Sequence, residues 1–293
     1  MAALAMDTKG QRARKGRRVR SVPVHVVTWV TVAVLGLFGL LPLYWMVVTA
    51  LTPNGDVFTF PPRLFPRTIT FDHFIAIAGD PVLWRYLGNS IFVSVLTAAL
   101  TLMVATYTAY SFSKFRYRGR KAMMFLVLSS QMFPQALLLI TLYLVFAAVG
   151  LLNTYLGLVI SFTAFTLPLC IWMLKGIFDT VPNEIIEAAK MDGANQLIII
   201  HRVLLPISIP GLIAAGLFAF MRGWNDFIFA LTLAGPTKLT LPPGLVNHFV
   251  GEFGTQWPEL MAASIAVSLP VIIGFIGLQR YLVAGLASGA VKA

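Results

Sequence analysis

Six apolar runs dominate the chain, at approximately 26–51, 86–110, 122–147, 154–175, 207–233 and 260–283, with shorter polar stretches between them. A helix needs about 20 residues to cross a hydrocarbon core of about 30 Å, so each run is long enough to span a bilayer. The fourth is close to the minimum length, and the fifth carries charge. The polar stretches are too short to hold a second soluble domain. The pattern predicts a polar arm at 1–25, an all-α integral membrane domain of six transmembrane helices at 26–283, and a tail at 284–293.

The polar stretches also predict an orientation. Lys9, Arg12, Arg14, Lys15, Arg17, Arg18 and Arg20 precede the first run, and Lys114, Arg116, Arg118, Arg120 and Lys121 crowd one short inter-span loop. Basic residues collect on the cytoplasmic side of membrane proteins. Placing the arm inside makes 111–121, 176–206 and the tail cytoplasmic, and 52–85, 148–153 and 234–259 external. Lys and Arg then divide as 17 inside (Lys175 and Arg280 counted with the inner ends of their runs), 4 outside, and Arg222 within a span, which accounts for all 22. Both termini are expected in the cytoplasm.

Composition agrees with this picture. Hydrophobic residues make up 58% of the chain and charged residues 11%, with a mean hydropathy of +0.83. A soluble domain carries about 25% charge. The net charge of +11 would suit nucleic acid, but its placement at the arm and inner loops writes membrane topology instead. The first run is too long for the roughly 7–15 apolar residues of a signal peptide, and no small-x-small cleavage site follows, so it reads as an uncleaved span. Cys170 is the sole cysteine, which excludes an intrachain disulfide. Pro53, Pro61, Pro62, Pro66 and Pro81 predict an irregular first outer stretch with a short interfacial helix. Pro42, Pro134, Pro168, Pro210 and Pro270 fall in or beside spans, as candidate kinks.

The inner stretch 176–206 is the most informative. Pro182 suits a first helical turn, and Glu184 in that turn complements the helix dipole. Ile185, Ile186, Ala188 and Ala189 form an apolar side, with Glu187, Lys190 and Asp192 around it. Gly193 can take the left-handed conformation that ends a helix. A second helical segment at about 196–204 would run along the membrane surface, and Leu205-Pro206 would turn the chain into the fifth span. Spacing alone leaves two readings: a polar loop that contains a helix, or a lever that seats in a groove on a soluble partner.

The string Glu187-Ala188-Ala189-x-x-Asp192-Gly193-Ala194, with Leu205-Pro206 and Pro210 after it, resembles the EAA loop of ABC importer permeases. Trp224-Asn225-Asp226-Phe227 and the closing stretches Gln279–Leu286 and Gly289–Lys292 resemble the carbohydrate branch with maltose-type permeases. The likeness runs from the first span to the C-terminus and leaves out the arm at 1–22. His201-Arg202 stands where an aromatic-rich segment is expected. The resemblance implies a type I ABC importer permease fold. It implies that the loop is a coupling helix docking into a separate ATPase through Glu187, Ala188, Ala189, Asp192, Gly193, Ala194, Leu205 and Pro206. The implied partners are a second, related permease chain forming a heterodimer, an ABC ATPase dimer, an extracytoplasmic sugar-binding protein, membrane lipid and a sugar. The outer loop residues Phe249, Glu252, Gly254 and Gln256 would face the binding protein. The chain has no P-loop pattern, so no cofactor is expected on it, and ATP and Mg would sit on the partner ATPase.

Polar groups in spans are the remaining candidates. Arg222 and Asp226 are four residues apart, a spacing at which they can pair on one helix face. With Asn225 they read either as part of the translocation path or as a pair that fixes packing. Trp224 could stack on a sugar ring or simply pack. Asn89, Gln131, Gln135 and Asn153 are weaker candidates, since amides in spans commonly join helices. His25, His73 and His248 do not cluster, so no metal site and no catalytic residue is expected. Three other functions compete. A polyol or glycerol-phosphate importer would use the same machinery. An ion-coupled secondary transporter would show repeated halves with midplane acids, where only Asp226 is found. A membrane enzyme would show clustered His, Asp or Glu at span ends. The expected location is the prokaryotic plasma (inner) membrane, crossed several times.

Overall fold

The computed structural model describes residues 24–251 and 254–290, with side-chain positions for 25–251 and 254–279. The basic arm up to residue 23, Glu252 and residues 291–293 lie outside the described residues. The chain divides into two compact units, 1–46 and 47–293. The first carries most of α1 (Val24–Ala50), whose residues 25–45 are exposed all round. A helix that is apolar on every side suits lipid or another protein.

In the second unit the elements follow as α2 (Asp72–Ala78), α3 (Pro81–Lys114), α4 (Arg120–Ser129), α5 (Gln135–Ala148), α6 (Tyr155–Thr180) and α7 (Asn183–Met191). Then come α8 (Gln196–Ile198), a π-helical stretch Ile199–Leu204, α9 (Leu205–Ile207), α10 (Ile209–Asn225), α11 (Ile228–Leu233), α12 (Leu241–Phe249) and α13 (Trp257–Ala290). Among the described residues, four helices are apolar and long enough to cross a membrane unaided, and two bent pairs bring the possible crossings to six. The helix of the sixth run, α13, continues to Ala290, beyond the expected end at 283.

The third and fifth runs are not single rods. α4 passes through a 3-10 turn at Ser130–Met132 and stops before Pro134, and α5 departs at 95°. Proline disfavours helical backbone in the residue before it, and Phe133 is extended (φ −75°, ψ 128°). The surface segment Gln196–Ile207 meets α10 at 88°. The corner lies at Ser208, not at the expected Leu205-Pro206, because the backbone stays helical through Leu204, Leu205 and Pro206 and leaves the helical region only at Ser208 (φ −96°, ψ 9°). α10 then ends at Asn225, so the fifth run breaks eight residues before its expected end at 233.

The core is the packing of α3 against α6 and α10. α3 turns Ser90, Ser94, Thr97, Thr101, Ala105 and Ala109 inward, all fully buried. α10 answers with Gly211, Ala215, Ala219 and Gly223, one small residue every fourth position. Lipid gives helices no hydrophobic reason to associate, so close packing by small residues substitutes for it. A β-carbon on Gly223 would lie 2.9 Å from Ser94 Cα, so only glycine permits that approach.

At the end opposite the basic loop, side chains tie the connections down. His73 Nδ1 is 3.1 Å from Glu259 Oε1, which also accepts from Asn54 Nδ2 at 2.9 Å, while His73 Nε2 is 3.1 Å from Thr52 O. Burial works against the Glu259 charge, but the bonds from Asn54 and His73 outweigh it and hold its pKa below the usual glutamate value. The expected short helix of the first outer stretch is α2. Asn89 donates to Thr237 O and Leu239 O and accepts from Tyr155 Oη, joining three parts of the fold.

Candidate coupling helix and transport cleft

α7 has nine residues, about two and a half turns. Pro182 stands just ahead of it, in extended conformation, so the helix begins at Asn183, one residue later than the sequence suggests. Ile186 is buried at 4% exposure, and Ala189 and Ala194 are half-buried against the same cluster of Phe178, Val181 and Leu204. Glu187, Ala188, Asp192 and Gly193 are exposed. The helix is therefore anchored through one face and free on the other.

Its C-terminus closes as the sequence anticipates. Gly193 takes φ +79°, the Ala194 N–H donates to Ala189 O at 3.0 Å, and the Gly193 N–H donates to Lys190 O at 3.0 Å. These two bonds satisfy carbonyls that the helix end would leave open. Asn195 then accepts from the Ile198 N–H at 2.9 Å and starts the next helix. Leu205 is half-buried against the same core cluster, and Pro206 is exposed.

Two residues that the sequence reading passed over belong here. Met191 is 88% exposed, an apolar knob one turn beyond Ala188. A run of unknown facing gives no sign of which apolar residue stays uncovered. Lys114, read only as a topology charge, donates from Nζ to Val181 O at 2.6 Å and to Asn183 Oδ1 at 3.2 Å. Burial lowers its pKa, while Asp179 and Glu184 pull it back up.

The second constellation lies at the break of the fifth run. Asp226 is extended (φ −71°, ψ 130°) and 9% exposed. Its Oδ1 accepts from the N–H groups of Phe229 and Ala230 at 2.9 and 3.1 Å, so it caps α11. Its Oδ2 lies 3.2 Å from Arg222 Nη2. The pair does form, but across a helix end rather than along one continuous helix. The Arg222 guanidinium also sits 5.7 Å from the Phe229 ring centre. Arg222, exposed Asn225 and Asp226 share a cleft of about 510 Å³ with Gln135, Met221 and Phe227. The two broken runs thus meet, since Gln135 opens α5 just after Pro134.

Other predicted residues sit elsewhere. Trp224 is 7% exposed and stacks on Phe220 at 5.6 Å, so its ring is used in packing and is absent from the cleft. Gln131 donates to Phe165 O, and the Asn153 carbonyl accepts from Lys238 Nζ. Phe249 is buried at 4% beneath a two-stranded hairpin, Val250–Gly251 with Gly254–Thr255, while Gly254 and Gln256 are exposed.

Long apolar helices, a charged cleft between two broken ones and a short amphipathic helix held at the bundle's end define a transmembrane permease subunit. The chain belongs to the family of binding-protein-dependent transport system inner membrane components, which it matches over residues 99–288. It is 33% identical over 263 residues to the diacetylchitobiose uptake system permease protein of Streptomyces coelicolor, covering 90% of this chain and 95% of that one. It is 31% identical over 261 residues to the trehalose/maltose transport system permease protein of Thermococcus litoralis, covering 88% and 93%. The fold matches a chain of a bacterial ABC transporter involved in import of the acidic polysaccharide alginate. The TM-score is 0.77 at 26% identity, covering 88% of this chain and 96% of that one. The resemblance to carbohydrate-importer permeases therefore holds. The chain is a multi-pass inner-membrane transport component and not an enzyme.

Proposed function

We propose that this chain is one half of the translocation path of an ATP-driven, binding-protein-dependent sugar importer. A second, related permease chain supplies the other half, and an extracytoplasmic binding protein delivers the sugar. The named relatives, uptake permeases for diacetylchitobiose and for trehalose and maltose, support a sugar cargo. The basic arm, the loop at 115–121 and α7 lie in the cytoplasm, where a separate ATPase dimer holding ATP and Mg engages α7. The observation that carries the reading is the build of α7: one buried anchor, Ile186, beneath an exposed face of Glu187, Ala188 and Met191. A helix built this way transmits displacement because it is fixed to the bundle on one side. ATP-dependent closure of the ATPases moves the helix, and the two access states differ in how they bind it, as coupling requires.

Sugar hydroxyls would meet Gln135, Arg222, Asn225 and Asp226 in the cleft, where amide and charged groups both donate and accept. A second reading, an anionic cargo such as a glycerol-phosphate, is favoured by the Arg222 side chain, a cation that lines the cleft and is 28% exposed there.

The test is substitution of Gly193 by valine. A β-branched residue is strained at φ +79°, although the space around Gly193 is open. Normal insertion with loss of ATPase association and of uptake is expected. Undiminished uptake would refute the coupling role.

A further inference from the structure

The corner between α6 and α7 is gripped from outside by two consecutive residues at the end of α3. Ser113 Oγ donates to Asp179 Oδ1 at 2.7 Å, and Asp179 also pairs with Lys175 on the last turns of α6. Lys114 Nζ bonds the Val181 carbonyl and the Asn183 side chain. Val181 closes α6, and Asn183 is the first residue of α7. Carbonyls at a helix C-terminus lack helical partners and carry partial negative charge, so a cation there is favourable. Only Val181 and Pro182 separate the two helices, so a single ammonium spans the whole joint.

α3 also packs along α10, the helix whose end lines the cleft. Its Ser94 is the residue against which Gly223 is pressed, and Gly223 adjoins Arg222. A continuous rod of 34 residues thus has the α7 joint at one end and the α10 contact within it. Without the Lys114 bonds, α7 would be held to the bundle through its chain connections and the apolar seats of Ile186 and Ala189.

We propose that Lys114 is a positioning residue for α7, fixing its angle on the bundle and joining it to α3, so that displacement of α7 enters the membrane through α3 as well as through α6. This inference rests on the coupling reading of α7. Nothing is asked of Lys114 in contact with cargo or nucleotide.

The experiment uses the full chain with its partner permease in nanodiscs. Spin labels at Met103→Cys on α3 and Lys190→Cys on α7 report the joint, and titration with the ATPase subunit reports docking. With wild-type Lys114 the label distance should be narrow. Lys114→Met should broaden it and weaken ATPase binding roughly fivefold, the low end of coupling free energies. Lys114→Arg, which keeps the cation and its donors, should restore both; a mere loss of packing would not be rescued by charge. Lys114→Gln, which keeps a donor but removes the charge, serves as a milder variant if the methionine variant fails to fold, and should broaden the distance to a smaller degree. Wild-type distance and wild-type affinity in both variants would overturn the proposal. Ala188→Trp separates it from the reading beneath it: if that variant also binds the ATPase normally, α7 is not the docking element and both fall together.

Discussion

Asp226 divides its two oxygens between two jobs. Oδ1 caps α11 and Oδ2 faces Arg222. Asparagine in its place keeps a capping oxygen but loses the charge, and alanine loses both. Loss of the cap alone should cost about 1–2 kcal/mol. Thermal unfolding in detergent should therefore rank wild type above Asp226→Asn, and that above Asp226→Ala. Arg222→Met should cost less in the Asp226→Asn background than in wild type, because contacting residues are not additive. Equal costs in the two backgrounds would mean that the pair contributes nothing. The sequence spacing revealed the pairing of these residues. It could not reveal the cap, because a carboxylate four residues from an arginine looks the same in a continuous helix and at a helix break.

At the scale of elements, the apolar runs announced where membrane helices lie, and α1, α3, α6 and α13 follow them. The runs were silent about bends, since apolar residues resume directly after Pro134-Gln135 and after Asn225-Asp226, so each interruption reads as a few polar positions within one span. α7 was legible almost residue by residue because polar sequence keeps its caps visible: Pro182 before it, Gly193 after it. Lys114 was not, because its partners are a backbone carbonyl and an amide from another part of the chain. The joint of α2 with α13 gives a prediction of its own. The Glu259 pKa is lowered in the folded state from an ordinary 4.5. Its contribution to stability is then complete above that ordinary value and is lost as pH falls through the folded one. Acidification should loosen the 52–71 stretch, seen as faster protease cutting there, and Glu259→Gln should flatten that pH dependence. A wild-type profile in the glutamine variant would remove Glu259 from the account.

The proposed orientation of the whole molecule rests on charge, and it can be checked directly. Cys170 is fully buried, so background thiol labelling should be low. Phe60→Cys, at a position 99% exposed, should react with an impermeant maleimide in intact cells. Arg118→Cys should react only in inverted vesicles, and the opposite pattern would reverse the topology. One further consequence follows from the interruption at Asn225–Phe227. The final carbonyls of α10 end there beside the Arg222–Asp226 pair, in a stretch where hydrocarbon offers no hydrogen bonds. Bare lipid is the wrong solvent for such a flank, and water or a neighbouring polypeptide has to cover it. The second permease chain proposed above would supply that cover, so this chain should be short-lived in cells that lack such a companion.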